Sequence, residues 1–218
     1  MKYSFSFLIA TITLFSALFS NQAFARSLWI EGDVLDGLHS KLYFGEYGEN
    51  QRESSPGELD HIVSPSVSVF DTEGVEKEVT AEKSGNHFVI PSGRTVLVQA
   101  LNQPVEEIKR DGKSIFVKPY FYARLGAEGS MPLDIKQNGN KLSLYFRNKP
   151  LADASIRIIA SNGWERRLRT NENGEVTFTL PGLGIYIVEA EYENNQPGEF
   201  EGKAYTREIH TATLSIYQ

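Results

Sequence analysis

Eighteen glycines and nine prolines cut the chain into short segments. Within them apolar and polar residues alternate with the period of two of a strand, not the 3.6 of a helix. No stretch carries the spacing of a long amphipathic helix, so the chain must build its core from sheets. The pattern predicts strands at residues 27–31, 41–44, 66–70, 87–90, 95–101 and 115–124 in the first half. Thr72-Glu73-Gly74, Ser84-Gly85-Asn86, Pro91-Ser92-Gly93 and Asp111-Gly112 supply turns between them.

A second series is predicted at residues 133–137, 141–147, 155–160, 165–170, 175–180, 185–193 and 209–217. Seven short strands at close spacing suit an immunoglobulin-like sandwich, although the Cys…Trp…Cys signature is missing. Between the two series, Gly126-Ala-Glu-Gly-Ser-Met-Pro132 is small and breaker-rich and reads as a linker.

The N-terminus has Lys2, an apolar run from Phe5 to Phe19 and a small-x-small site at Ala23-Phe24-Ala25, the pattern of a secretory signal peptide. No later window reaches the roughly 20 apolar residues of a membrane span. Cysteine is absent, so stability is expected from packed cores without disulfides. The formal charge is −6 at pH 7, and one unit more negative once Lys2 is removed, which argues against a nucleic-acid partner. Export and composition together suit a bacterial periplasm.

"YFGEYGENQRESSPGELDH" at residues 43–61 concentrates acids: Glu46, Glu49, Glu53, Glu58 and Asp60, with Arg52 and a closing His61. Carboxylates suit hard cations, while nickel, copper or zinc want imidazole as well, which His61 and the earlier His39 could supply. The spacing is not that of an EF-hand, and wet loops are commonly acidic, so a solvated connection stands beside the ion-site reading. Glu189, Glu191 and Glu193 alternate on one strand face, and Arg167 and Arg169 could answer them as a cross-strand ladder. His87 and His210 sit at predicted strand starts, where an imidazole needs no function.

Trp29, Trp164, Tyr43, Tyr47, Phe116 and Tyr120-Phe121-Tyr122 could form a platform for a peptide or sugar, or fill the space between sheets. Nothing resembles a G-x-S-x-G elbow, an H-E-x-x-H site or a P-loop, so no enzyme is expected.

Residues 147–192, with Lys149-Pro150, the Thr170-Asn-Glu-Asn-Gly174 turn and Pro181-Gly182-Leu-Gly184 before a strand, resemble the carboxypeptidase-regulatory or transthyretin-like sandwich. Nearly end to end, the chain is similar to the DUF4198 family of exported bacterial proteins. The resemblance is carried by "SLWIEG", "LYFGEYGENQRESSPGELD", "NKPLADASIRIIASNGWERRLRTNENGEVTFTLPGLGIYIVEAEY", "QPGEFEGKAY" and "HTATLSI". It implies handling of a divalent metal ion, nickel or cobalt, beside an envelope transporter or receptor component. Many members carry a histidine where Arg26 stands and a His-His pair where this chain has Glu191-Tyr192. A metal site would then fall to His61, Glu46, Glu49, Asp60 and His39.

The sequence therefore predicts an all-β protein of two β-sandwich domains, the second immunoglobulin- or transthyretin-like. Residues 1–25 are the signal peptide, 26–128 the first domain and 129–218 the second. The expected function is non-catalytic binding in the cell envelope, with metal handling as the family's implication. A structural or protein-interaction module without metal is the alternative, using the aromatic and acidic surfaces of the domain junction, and a peptide- or sugar-binding domain is the third reading.

Overall fold

The computed structural model describes residues 26–32 and 39–218. The expected signal peptide lies outside them. The first half of the chain forms β1 (Ser27–Gly32), β2 (His39–Glu46), β3 (Gln51–Arg52), a 3-10 turn (Glu58–His61), β4 (Ser66–Phe70) and β5 (Glu76–Val79). It continues through β6 (Glu82–Ser84), β7 (His87–Pro91), β8 (Thr95–Ala100), β9 (Glu106–Arg110) and β10 (Lys113–Leu125). The second half adds β11 (Leu133–Asn138), β12 (Lys141–Phe146), β13 (Lys149–Pro150), β14 (Ser155–Ala160) and β15 (Glu165–Arg169). It ends with β16 (Glu175–Thr177), β17 (Ile185–Asn194), β18 (Gly198–Phe200), β19 (Lys203–Tyr205) and β20 (Arg207–Tyr217). Among the described residues no helix is long and apolar enough to cross a membrane.

The protein is an all-β sandwich built around one long sheet. That sheet has nine strands, in the order β15-β14-β17-β20-β10-β8-β4-β5, with β9 on β10. A five-stranded sheet (β1-β2-β7-β6, with β3 on β2) and a four-stranded sheet (β11-β12-β13, with β16 on β12) accompany it. Alternation along the strands places the two smaller sheets on opposite faces of the long one. Phe121 and Ala123 of β10 enter the core with Leu28, Ile30 and Phe44, whereas Tyr122 enters the other core with Leu133, Leu144 and Leu214.

The expected boundary at residues 128–129 falls between β10 and β11, and the core of the second half also takes Phe70, Leu97 and Tyr122 from the first. The halves are not separate bodies, because β10 and β20 pair in parallel from Val117↔Arg207 to Leu125↔Ser215 and carry the sheet across the boundary. A parallel pair needs a long crossover, and here most of the second sandwich is that crossover. The last strand also grips the first. Thr213 Oγ1 donates to the Leu28 carbonyl at 2.6 Å and Ser215 Oγ to that of Ile30 at 2.5 Å.

The segment read as a linker is a clamped loop. Arg124, fully buried, donates Nε and Nη2 to the two Asp134 oxygens at 2.8 and 2.9 Å. Its remaining donors reach the carbonyls of Glu128 (2.7 Å), Gly129 (3.1 Å) and Gly126 (3.4 Å). The glycines serve close approach rather than flexibility: a Cβ on Gly126, at φ +90°, would collide with the Arg94 carbonyl, and one on Gly129 with Leu97.

Candidate functional site: an unsatisfied cleft and a closed junction

The acidic stretch at residues 43–61 is laced to its surroundings. Asp60 accepts from Lys83 Nζ at 2.6 Å, Ser55 Oγ at 2.7 Å and the Gly57 amide at 2.9 Å. These bonds, Lys83's first, hold its carboxyl far below the usual carboxylate range. Arg26 joins Glu53 at 2.9 Å and Glu58 at 2.6 Å, while Arg52 joins Glu31 at 2.8 Å and lies over the Tyr43 ring. His61 is open to solvent, its Nδ1 3.3 Å from Glu58.

Of the five expected metal ligands, the fold brings Glu46 and His61 to one cleft. Asp60 is committed to its own turn, Glu49 is exposed in the turn after β2, and His39 opens β2 opposite Pro91. Among the described residues, no group of three or more histidines, aspartates or glutamates is placed to hold a metal ion.

The cleft encloses about 400 Å³ between the end of β2, the 3-10 turn and the loop leading into β9. Phe44, Ile62, Pro104 and Phe121 make its apolar surface; three carboxylates (Glu46, Glu58 and Glu106) face one guanidinium, Arg26. Glu106 belongs to β9, whose pairing with β10 sets it beside Val117, while Glu46 comes from the opposing five-stranded sheet. Burial pushes the Glu106 carboxyl up, with Glu58 adding to the shift and His61 and Arg26 opposing it. Glu106 and Glu46 have no hydrogen-bond or ion-pair partner among the described residues.

Gln103 is the cleft's unusual member. It is 2% exposed, and neither its amide oxygen nor its amide nitrogen has a partner among the described residues. Each buried unpaired polar group costs about 1–3 kcal/mol. Its backbone is fixed, since its carbonyl accepts from Lys118 Nζ at 2.6 Å, beside the Leu101 carbonyl at 2.7 Å. Desolvation pulls the Lys118 ammonium down to about 8. Sequence reasoning missed Gln103 and Glu106, because a single polar residue before a proline and an acid at a strand end carry no motif.

On the other face of β10 lies a second cavity of about 470 Å³, where the two halves meet. His210, 3% exposed, holds Tyr122 Oη at 3.0 Å through Nδ1 and Glu208 at 3.2 Å through Nε2. Glu208 also receives Asn194 at 2.7 Å and Arg147 at 3.3 Å, and the Tyr120 ring stacks on His210 at a centroid distance of 4.8 Å. Desolvation lowers the His210 pKa against the pull of Glu208, and burial raises both tyrosines far above an ordinary phenol. Each polar group of this chain is answered from within. Of the aromatics a platform would use, Trp29 is fully buried against Tyr43 and Tyr47, Tyr120 and Tyr122 line the junction, Phe121 lines the cleft and Phe116 is exposed.

The charge ladder has a different rung from the expected one. β14 separates β15 from β17, so Arg157 of β14 pairs with Glu189 at 2.9 Å, while Arg167 reaches Glu165 at 2.7 Å and Arg169 reaches Asp153 at 2.8 Å. Glu193 is held by Arg110 at 2.6 Å and by Arg207. Glu191 is exposed, and its pKa is raised by desolvation and by Glu189 and Glu193.

Compared with known proteins, the chain matches no family model and no curated protein.

Proposed function

We propose that this chain is an exported, non-catalytic binding protein whose working site is the Glu46–Glu106 cleft and whose ligand carries positive charge. The observation that carries this reading is the buried, unpartnered Gln103 amide in a cleft whose carboxylates outnumber its cations. A buried polar group without a partner is uncommon in a folded protein and is answered when a ligand enters. The DUF4198 resemblance adds support from another direction: Arg26, where many members carry histidine, lies in the same cleft.

That resemblance implies nickel or cobalt as the cation and an envelope transporter or receptor component as the partner. The donors at the cleft are of the right kind, carboxylate and imidazole, but they do not converge within one coordination sphere among the described residues. Direct chelation therefore lacks its geometry, and a metal role would run through the partner.

The test is a thermal-shift screen of the purified protein against cations, anions and neutral solutes, with nickel and cobalt included. The reading expects at least one cation to raise the melting temperature, and Glu46→Gln with Glu106→Gln to abolish the rise. Stabilisation by anions alone, or by no solute, would contradict it.

A further inference from the structure

We infer that the cleft's ligand is a short basic peptide, bound through a lysine or arginine side chain and its adjoining backbone amide. This rests on the cleft being the binding site, and it selects among positively charged ligands. Divalent ions draw their oxygen donors to about 2.0–2.6 Å, so the donors around one ion crowd together. Here Glu46 comes from β2, Glu58 from the 3-10 turn and Glu106 from β9, and no three acidic or imidazole groups meet closely enough to hold an ion. Carboxylates spread over opposite walls suit a cation spread over several atoms.

The apolar surface points the same way. Phe44 and Phe121, buried core residues that meet edge to face at 5.4 Å, line the cleft with Ile62, and the exposed Pro104 gives it an open apolar margin beside the acids. A lysine stem lays its methylenes on such a surface while its ammonium seeks carboxylate, a division a bare ion cannot exploit. Aromatic faces add attraction for a desolvated ammonium or guanidinium.

Gln103 supplies the third requirement. Among the described residues its amide has both a donor and an acceptor without partners. An extended residue turns its own N–H and C=O to one side and so offers a matching donor and acceptor, whereas a simple amine offers donors alone. The Lys118 ammonium pins the Leu101–Gln103 backbone, so the buried amide sits on a fixed loop and little backbone ordering cost falls on binding.

The experiment is calorimetric titration of dilysine, diglycine, diglutamate, butylamine and nickel chloride into the protein, into Glu106→Gln and into Gln103→Met. Dilysine is expected to bind at least about tenfold more tightly than butylamine, with diglycine and diglutamate giving no heat of binding. Glu106→Gln, at an exposed position, should weaken dilysine about tenfold or more, and Gln103→Met should remove its advantage over butylamine. Dilysine binding no better than butylamine would overturn the peptide assignment. Nickel binding that is lost in Glu106→Gln, with no response to dilysine, would also overturn it while leaving the cleft as a cation site; silence from all five probes would remove both readings.

Discussion

The cleft and the junction cavity lie on opposite faces of β10 and draw on the same residue types: glutamate, histidine, arginine and aromatic rings. At the junction Tyr122, His210, Glu208, Asn194 and Arg147 answer one another in a chain of bonds. In the cleft, among the described residues, the Gln103 amide is unanswered and Glu46 and Glu106 have no hydrogen-bond or ion-pair partner. The residues alone do not separate a structural network from a binding site. What separates them is whether the polar atoms are satisfied inside the fold, because a satisfied network rigidifies and an unsatisfied one waits for a partner.

The contrast can be broken most forcefully at the junction side. Arg124→Met strips Asp134 of its buried partner and frees the 126–132 loop. Stability should fall by about 3–5 kcal/mol in urea denaturation. A loss below 1 kcal/mol would mean that the loop is not clamped. Tyr122→Phe removes one member of the His210 chain and should cost about 1 kcal/mol while leaving cleft binding unchanged. A fall in cleft affinity without unfolding would couple the two cavities and end their separation.

The smallest expected effect is a pH slope. Desolvation holds the folded His210 pKa below its ordinary 6.5, so the folded state binds fewer protons than the unfolded one near that value. Its contribution is present above pH 6.5 and is lost as pH falls through that value. Glu106, Glu189 and Glu191, shifted upward, act oppositely at lower pH, so the difference between wild type and His210→Gln isolates the histidine. Stability of the wild type should decline more steeply from pH 7.5 to 5.5 than that of the variant.

Much of the fold was legible because half-buried strands advertise themselves. Thr95–Ala100 and Ser155–Ala160 follow their expected ranges closely, being apolar where they face a core. The strands that were missed, Gln51–Arg52, Glu76–Val79, Glu82–Ser84, Glu106–Arg110, Lys149–Pro150, Gly198–Phe200 and Lys203–Tyr205, are short or polar and mostly exposed, so no buried face imposes a pattern. The β10–β20 seam was invisible because parallel pairing between residues 90 apart leaves no local signal. Glycines in the 126–132 loop looked like flexibility, and only the collision a Cβ would cause reveals their purpose.

The site was legible in part. Acid density singled out residues 43–61 and with them Glu46 and His61, yet density does not tell a carboxylate with work to do from one already paired. Asp60 has three partners and Glu46 has none among the described residues. Gln103 and Glu106 were beyond reach because their significance lies in burial and in missing partners, neither of which one sequence displays.

The most direct measurement is the urea midpoint of Gln103→Met without ligand. If the amide is buried and unpartnered, replacing it with an apolar side chain of similar length relieves a desolvation cost, and stability should rise by about 1 kcal/mol. A fall of similar size would mean that the amide is already satisfied within the fold, and the cleft would then be as closed as the junction.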